Sequence, residues 1–147
     1  MSEAAVLIDI RQRREMIVRE HLDAENRGDV DATLATFSTA RMDIPTFGEN
    51  GQVSGHDAVH ALYGGLFVAF PDFHIDVDHL RHGDNHVLVE GLLSGTQHAD
   101  WAGIPNAGRR FTTRFAGVFE FDGDQLMCER PYFELSDIAR QLTGAVL

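Results

Sequence analysis

Glu129 is the carboxylate whose surroundings in the sequence point most directly to chemistry. It lies in the strand-like run Gln125 to Phe133 and shares odd parity with Met127 and Pro131, so on a two-residue period the three face the same way. On a buried face Phe115 and Phe119 would desolvate it, raise its pKa and make it a general acid/base. The competing reading is a solvated or ion-paired strand glutamate. Gln97 is expected on the same face, where its carboxamide both donates and accepts hydrogen bonds and suits orienting a carbonyl; a polar strand end is the alternative. Asp43, His98 and Asp100 fall near the expected mouth, where a histidine beside a carboxylate shuttles protons near neutral pH, or else they are ordinary surface-loop residues. The single tryptophan, Trp101, reads either as a lid over an apolar ligand or as a dimer contact.

The expected cavity is lined by Met42, Ile44, Phe67, Leu93 and Phe115, with Tyr63 and Phe67 core residues first and lining second. Gly117 and Pro131 add small or apolar positions to it. His74, Asp76 and Asp78 share one strand face but lack the second cluster that a closed metal site needs. No metal is expected there.

The elements that must position these residues follow from periodicity. Between Asp9 and Arg27, Ile10, Ile17, Leu22 and Ala24 recur at near-helical spacing, and Gly28 supplies a stop. Asp29 caps a short helix bearing Val30, Leu34 and Phe37. A third helix follows Gly55, carries Val59, Leu62, Tyr63, Leu66, Phe67 and Phe70 as a broad apolar stripe, and ends at Pro71. The period then becomes two. Phe73, Ile75 and Val77 alternate with polar residues, as do Val87, Val89, Gly91, Leu93 and Gly95 with their neighbours. Gly83-Asp84-Asn85 and Asp122-Gly123-Asp124 are turns, the second joining Phe111–Phe121 to the last strand. A final helix spans Ser136 to Leu142. Helices followed by antiparallel strands give an α+β order over one unit, residues 1–147.

Composition narrows the function classes. Twelve Lys+Arg against 23 Asp+Glu give a formal charge of −11, which repels nucleic acid and anionic membrane surfaces. The lone Cys128 excludes an intramolecular disulfide. The start, Met-Ser-Glu-Ala-Ala, lacks a basic, apolar leader, so a cytoplasmic location is expected.

Four places read in order carry a family resemblance. They are Pro71-Asp72-Phe73-His74-Ile75-Asp76-Val77; Gly95-Thr96-Gln97-His98 with Gly103-Ile104-Pro105-Asn106-Ala107-Gly108-Arg109; Phe119-Glu120-Phe121-Asp122-Gly123; and Arg130-Pro131-Tyr132-Phe133-Glu134 with Gln141-Leu142. From about Ile17 to Leu142 the chain resembles the SnoaL-like polyketide cyclase family of the nuclear-transport-factor-two-like superfamily. The resemblance implies a curved antiparallel sheet wrapped around helices as a cone with an apolar pocket. It also implies a cofactor-free protein and a homodimer, here through the outer sheet face bearing Arg130 and Tyr132. Four positions that are polar in the ring-closing members read Pro131, Gly117, Gln97 and Ile44 here.

The expected function is therefore a cofactor-independent cyclase, of the lyase or isomerase type, acting in natural-product or antibiotic biosynthesis. It would close a ring in a hydrophobic polyketide-like intermediate, by holding the chain in a near-attack geometry as in a cycloaddition. An isomerase or epoxide-opening enzyme using Glu129 or Asp43 as base, and a non-catalytic small-molecule binding module, are the alternatives.

Overall fold

Ser2 begins the first helix earlier than the apolar pattern suggests. Its hydroxyl accepts the Ala5 N–H at 3.2 Å, and this cap starts α1 (Glu3–Asn26) ahead of Asp9. The computed structural model describes residues 2–145. Met1, Val146 and Leu147, part of the expected 1–147 unit, lie outside the described residues. Asp29 caps α2 (Val30–Ala35) by accepting the Ala32 N–H at 3.0 Å, as its sequence position suggests. Further along come β1 (Arg41–Asp43), a 3-10 segment (Pro45–Gly51), β2 (Gln52–Ser54) and α3 (His56–Ala69), which ends before Pro71. Then the chain runs as β3 (His74–His82), β4 (His86–Thr96), β5 (Arg110–Asp122), β6 (Gln125–Phe133) and α4 (Leu135–Thr143).

The six strands form one curved, unclosed sheet in the order β2-β1-β6-β5-β4-β3. Neighbours are antiparallel except β1 and β6, which run parallel through Met42 opposite Glu129. That pairing joins an early strand to the last one and brings Met42 beside the carboxylate. The α+β expectation holds, with the parallel β1–β6 contact as a departure from a wholly antiparallel sheet. Alternation along β4 and β5 puts Val87, Val89, Leu93, Phe111, Phe115, Phe119 and Phe121 on the buried face. Against it pack Val18 and Leu22 of α1, Ala69 of α3, Phe70, and Ile138 and Leu142 of α4. Leu34, Met42, Ile44, Val59 and Tyr63 form a second cluster beside it.

Two irregularities shape the sheet. In β6 the pairing steps from Glu120–Cys128 to Phe121–Leu126, which leaves Met127 as an extra residue. Leu126 and Glu129 thereby share the buried face, while Met127 joins Val118, Glu120 and Arg130 in an outer groove. Simple parity is corrected here: Glu129 and Pro131 face inward, and Met127 does not. In β3 the register shifts between Val77 and His79, and Gly91 of β4 comes so close that a Cβ there would lie 1.9 Å from the Asp76 carbonyl oxygen. Only glycine fits. No helix among the described residues is long and apolar enough to cross a membrane.

Candidate active site

Between the helices and the buried sheet face lies an open-mouthed cavity of about 100 Å³. Met42, Ile44, Tyr63, Leu93, Trp101, Phe115 and Pro131 are among its lining residues. Phe47, Phe70, Phe73, Phe111 and Phe133 add aromatic faces to the wall. Among the described residues, Glu25, Tyr63 and Glu129 are its only titratable lining groups.

These three meet His21. Glu129, 4% exposed, accepts from the Tyr63 hydroxyl at 2.5 Å through Oε2, and the same oxygen lies 2.9 Å from His21 Nε2. Glu25 Oε1 lies 2.8 Å from that nitrogen. The other ring nitrogen is fixed independently. The Thr36 hydroxyl donates to the Thr33 carbonyl at 2.7 Å, so its oxygen accepts the His21 Nδ1–H, also at 2.7 Å. Phe37 and Phe119 hold the imidazole edge-to-face, at centroid separations of 5.2 and 5.3 Å. Nε2 is thus aimed at both carboxyls.

Charge decides the protonation pattern. Burial pulls the His21 pKa down, but the carboxylates of Glu129 and Glu25 outweigh it and raise it to about 10. Burial, then the charge of Glu129, pushes Glu25 up to about 7 against the opposing pull of His21. Burial and the same two carboxylates hold the Tyr63 phenol well above its ordinary value. Around neutral pH a charged His21 therefore faces the two carboxyl groups, and Glu25 takes up or releases its proton near 7. The residue types of His21, Glu25 and Glu129 also suit a metal ion, their ligand atoms lying within 4.8 Å of one another. Hydrogen bonds account for each short contact among them, and we read the cluster as bridged by protons.

Each carboxylate commits one oxygen to this network. Glu129 Oε1 and Glu25 Oε2 have no hydrogen-bond partner among the described residues, although both side chains line the cavity. The arrangement offers two acceptor oxygens, or an acceptor and an acid proton, to whatever occupies the apolar space.

Other residues singled out in the sequence lie elsewhere. Gln97 is buried but does not line the cavity; its amide N–H donates to the Ile104 carbonyl at 2.9 Å, while its carbonyl oxygen lacks a partner. It braces the loop in which Trp101 and Ile104 exchange backbone hydrogen bonds of 3.1 and 2.8 Å. That loop carries Trp101 against Phe70 and Phe47, at centroid distances of 5.4 and 6.2 Å. Asp43 is turned to the outer side and pairs with Arg130 at 3.4 Å. His98 is exposed, and Asp100 accepts the Asn106 N–H at 2.8 Å to shape the loop. The Asp43–His98–Asp100 grouping is not assembled. Phe67 stacks on Tyr63 at 5.9 Å behind the wall, and Gly117 is sealed by the rings of Phe115 and Phe119. Neither lines the cavity. His74 and Asp76 sit exposed on β3, 3.3 Å apart.

His21 and Glu25 were absent from the sequence reading, although a signal existed. From Ile17 they recur at four-residue steps, which keeps them on one helical stripe. A histidine and a glutamate continuing an inward stripe need a partner, and Glu129 supplies it.

A curved, unclosed sheet packed against helices, with an apolar cavity between them, defines the fold as an α+β cone. Residues 18–129 match the SnoaL-like domain, and the chain belongs to that family. No curated protein sequence matches it. Solved structures show the same fold. A candidate SnoaL-like polyketide cyclase from Jannaschia sp. CCS1 superposes with a TM-score of 0.80 at 19% identity, over 92% of this chain and 94% of the other. A candidate polyketide cyclase from Xanthomonas campestris pv. campestris gives 0.79 at 23% identity, over 90% and 98%. A nuclear-transport-factor-two-like protein of unknown function from Burkholderia pseudomallei gives 0.75 at 21% identity, over 89% and 98%.

Proposed function

We propose that the chain is a cofactor-independent enzyme that closes or isomerises a ring in a hydrophobic, polyketide-like intermediate by proton transfer at the inner end of its cavity. The observation that supports this is the pair of carboxylates, each with one oxygen held by His21 and one free, at the sole polar end of an aromatic cavity. Glu129 is the base in this reading: Tyr63 and His21 fix its orientation, and the dry wall raises the reactivity of its free oxygen. Glu25, carrying the exchangeable proton, is the matching acid. The Pro131 and Gly117 substitutions do not remove acid/base capacity on this reading, because the proton-carrying groups sit on α1, α3 and β6. A homodimer through the exposed face around Tyr132, and a cytoplasmic site of action, belong to the same proposal.

Nitrobenzisoxazole provides a test independent of the natural substrate. A buried base removes its ring C–H, the N–O bond breaks, and a coloured cyanonitrophenolate forms. The rate should rise as pH passes about 7, where Glu25 loses its proton and a second buried carboxylate base becomes available, and Glu129→Gln should lower it by roughly two to four orders of magnitude. Unchanged rates in Glu129→Gln refute the base assignment. The apolar wall also favours a second reading, ring closure by confinement alone. That reading requires natural ring closure to be flat between about pH 6 and 9 and indifferent to Glu129→Gln.

A further inference from the structure

The cluster at the inner end is one positive charge short. His21 supplies one cation; Glu25 and Glu129 supply two potential anions. No Arg side chain lines the cavity, and the chain contains no lysine. With the cavity empty, a proton makes up the difference. Each carboxylate also turns an unpartnered oxygen to the same space, although both residues are more than nine-tenths buried. Both oxygens are accessible from the cavity and carboxylates only accept, so the site is complementary to a ligand that brings donors. Beyond the oxygens the wall is aromatic, with Phe70, Phe73, Phe111, Phe115 and Trp101 among its members. Ring faces are negative and attract cations. Neutral ligands gain only from the wall, and anions meet two carboxylates with no cation exposed to receive them.

We infer that the cavity binds molecules with an apolar body and a protonated amine at one end, the ammonium group bridging the free oxygens of Glu25 and Glu129. The inference rests on this cavity being the ligand site, as in the proposed function, and adds the charge class of what enters it. The ammonium takes the place of the Glu25 proton, so binding and proton release are linked. Glu25 is faced by His21 on its own helix, by Glu129 from β6 and by Tyr63 from α3, and His21 stays charged to about pH 10. Ammonium affinity should therefore increase as pH rises through about 7 and level off above it.

Trp101 is the only tryptophan and lines the cavity, so its fluorescence reports occupancy. Three probes of matched shape separate the charge classes: phenethylammonium, propylbenzene and phenylpropanoate. Phenethylammonium should bind at least roughly tenfold more tightly than propylbenzene at pH 8, and phenylpropanoate should bind weakest. Glu25→Gln should weaken phenethylammonium and abolish its pH dependence while leaving propylbenzene unchanged; circular dichroism confirms that the variant is folded. Propylbenzene binding as tightly as phenethylammonium, or phenethylammonium affinity insensitive to pH and to Glu25→Gln, overturns the amine assignment and leaves the cavity as the ligand site. If none of the probes changes Trp101 emission, the amine assignment and the cavity reading fail together.

Discussion

Glu129 and Arg130 are adjacent on β6, and each anchors a network of opposite charges. Glu129 faces the cavity and meets His21, Tyr63 and, through His21, Glu25; all four are buried. Arg130 faces outward and meets Glu120 and, at 3.4 Å, Asp43, with side chains 23%, 45% and 20% exposed. The residue types are similar and the physics is not. Inside, water is excluded, a missing partner leaves a bare charge, and protons move within the neutral range. Outside, solvent and salt screen each pair. If the proposed function holds, the cavity-facing network carries the chemistry and the larger share of the electrostatic stability, and the outer one carries little of either.

Removing the central cation should cost most. His21→Ala leaves two buried carboxyls facing each other without compensation, and breaking a buried ion pair costs about 3–5 kcal/mol. Urea denaturation should show a loss of this order. Adding Glu25→Gln should recover part of it, because one of the stranded charges is gone, so the two changes should be strongly non-additive. Simple additivity would mean that the cluster does not act as a unit.

Acidity comes next. Glu25 is raised from 4.5 to about 7 and His21 from 6.5 to about 10. In both cases the folded chain binds the proton more tightly than the unfolded chain does, so stability falls as pH rises. The Glu25 contribution is complete below about pH 4.5 and lost through about 7. The His21 contribution is complete below about 6.5 and lost through about 10. Tm should decline across this span, and Glu25→Gln should remove the acid half of the decline while sparing the alkaline half. A Tm that climbs from pH 5 to 9 would contradict the proton-bridged cluster.

The legibility of the two networks differed in the same way. Most of the sheet could be read from the sequence because alternation is a local signal: Phe111, Phe115, Phe119 and Phe121 announce their face without reference to any other strand. Glu129 was found by the same logic, yet through a count that included Met127, which the β6 bulge displaces. His21 and Glu25 were missed because α1 was read for its apolar residues, and what makes its polar pair notable is a contact with β6 more than a hundred positions away. Asp43 and His98 looked suitable for the opposite reason. They lie near the mouth in sequence terms, but Arg130 draws Asp43 outward and the β4–β5 loop leaves His98 in water.

Trp101→Ala tests the mouth, which belongs to neither network. The ring lines the cavity and packs edge-to-face on Phe70 and Phe47. Its loss should weaken propylbenzene binding by about 2 kcal/mol, the scale of a large aromatic anchor. Calorimetry replaces fluorescence as the readout, since the reporter is gone. The pH at which base activity rises should stay put, because the indole touches no member of the buried network. A displaced midpoint would show that the mouth and the inner end are electrostatically coupled.

The smallest effect is expected outside. Arg130 donates to Glu120, and that hydrogen bond chiefly holds its guanidinium above its ordinary pKa. It is also in contact with solvent, and such pairs contribute about 0.2–1 kcal/mol. A double-mutant cycle between Arg130→Ala and Glu120→Ala should return a coupling in that range, shrinking as salt is raised. Base activity and its rise near pH 7 should be untouched, because Arg130 and Glu120 lie on the opposite face of the sheet from the cavity. A large coupling, or a displaced activity midpoint, would show that charge on the outer face is felt through the sheet. The division between a dry network that sets the chemistry and a wet one that does not would then have to be abandoned.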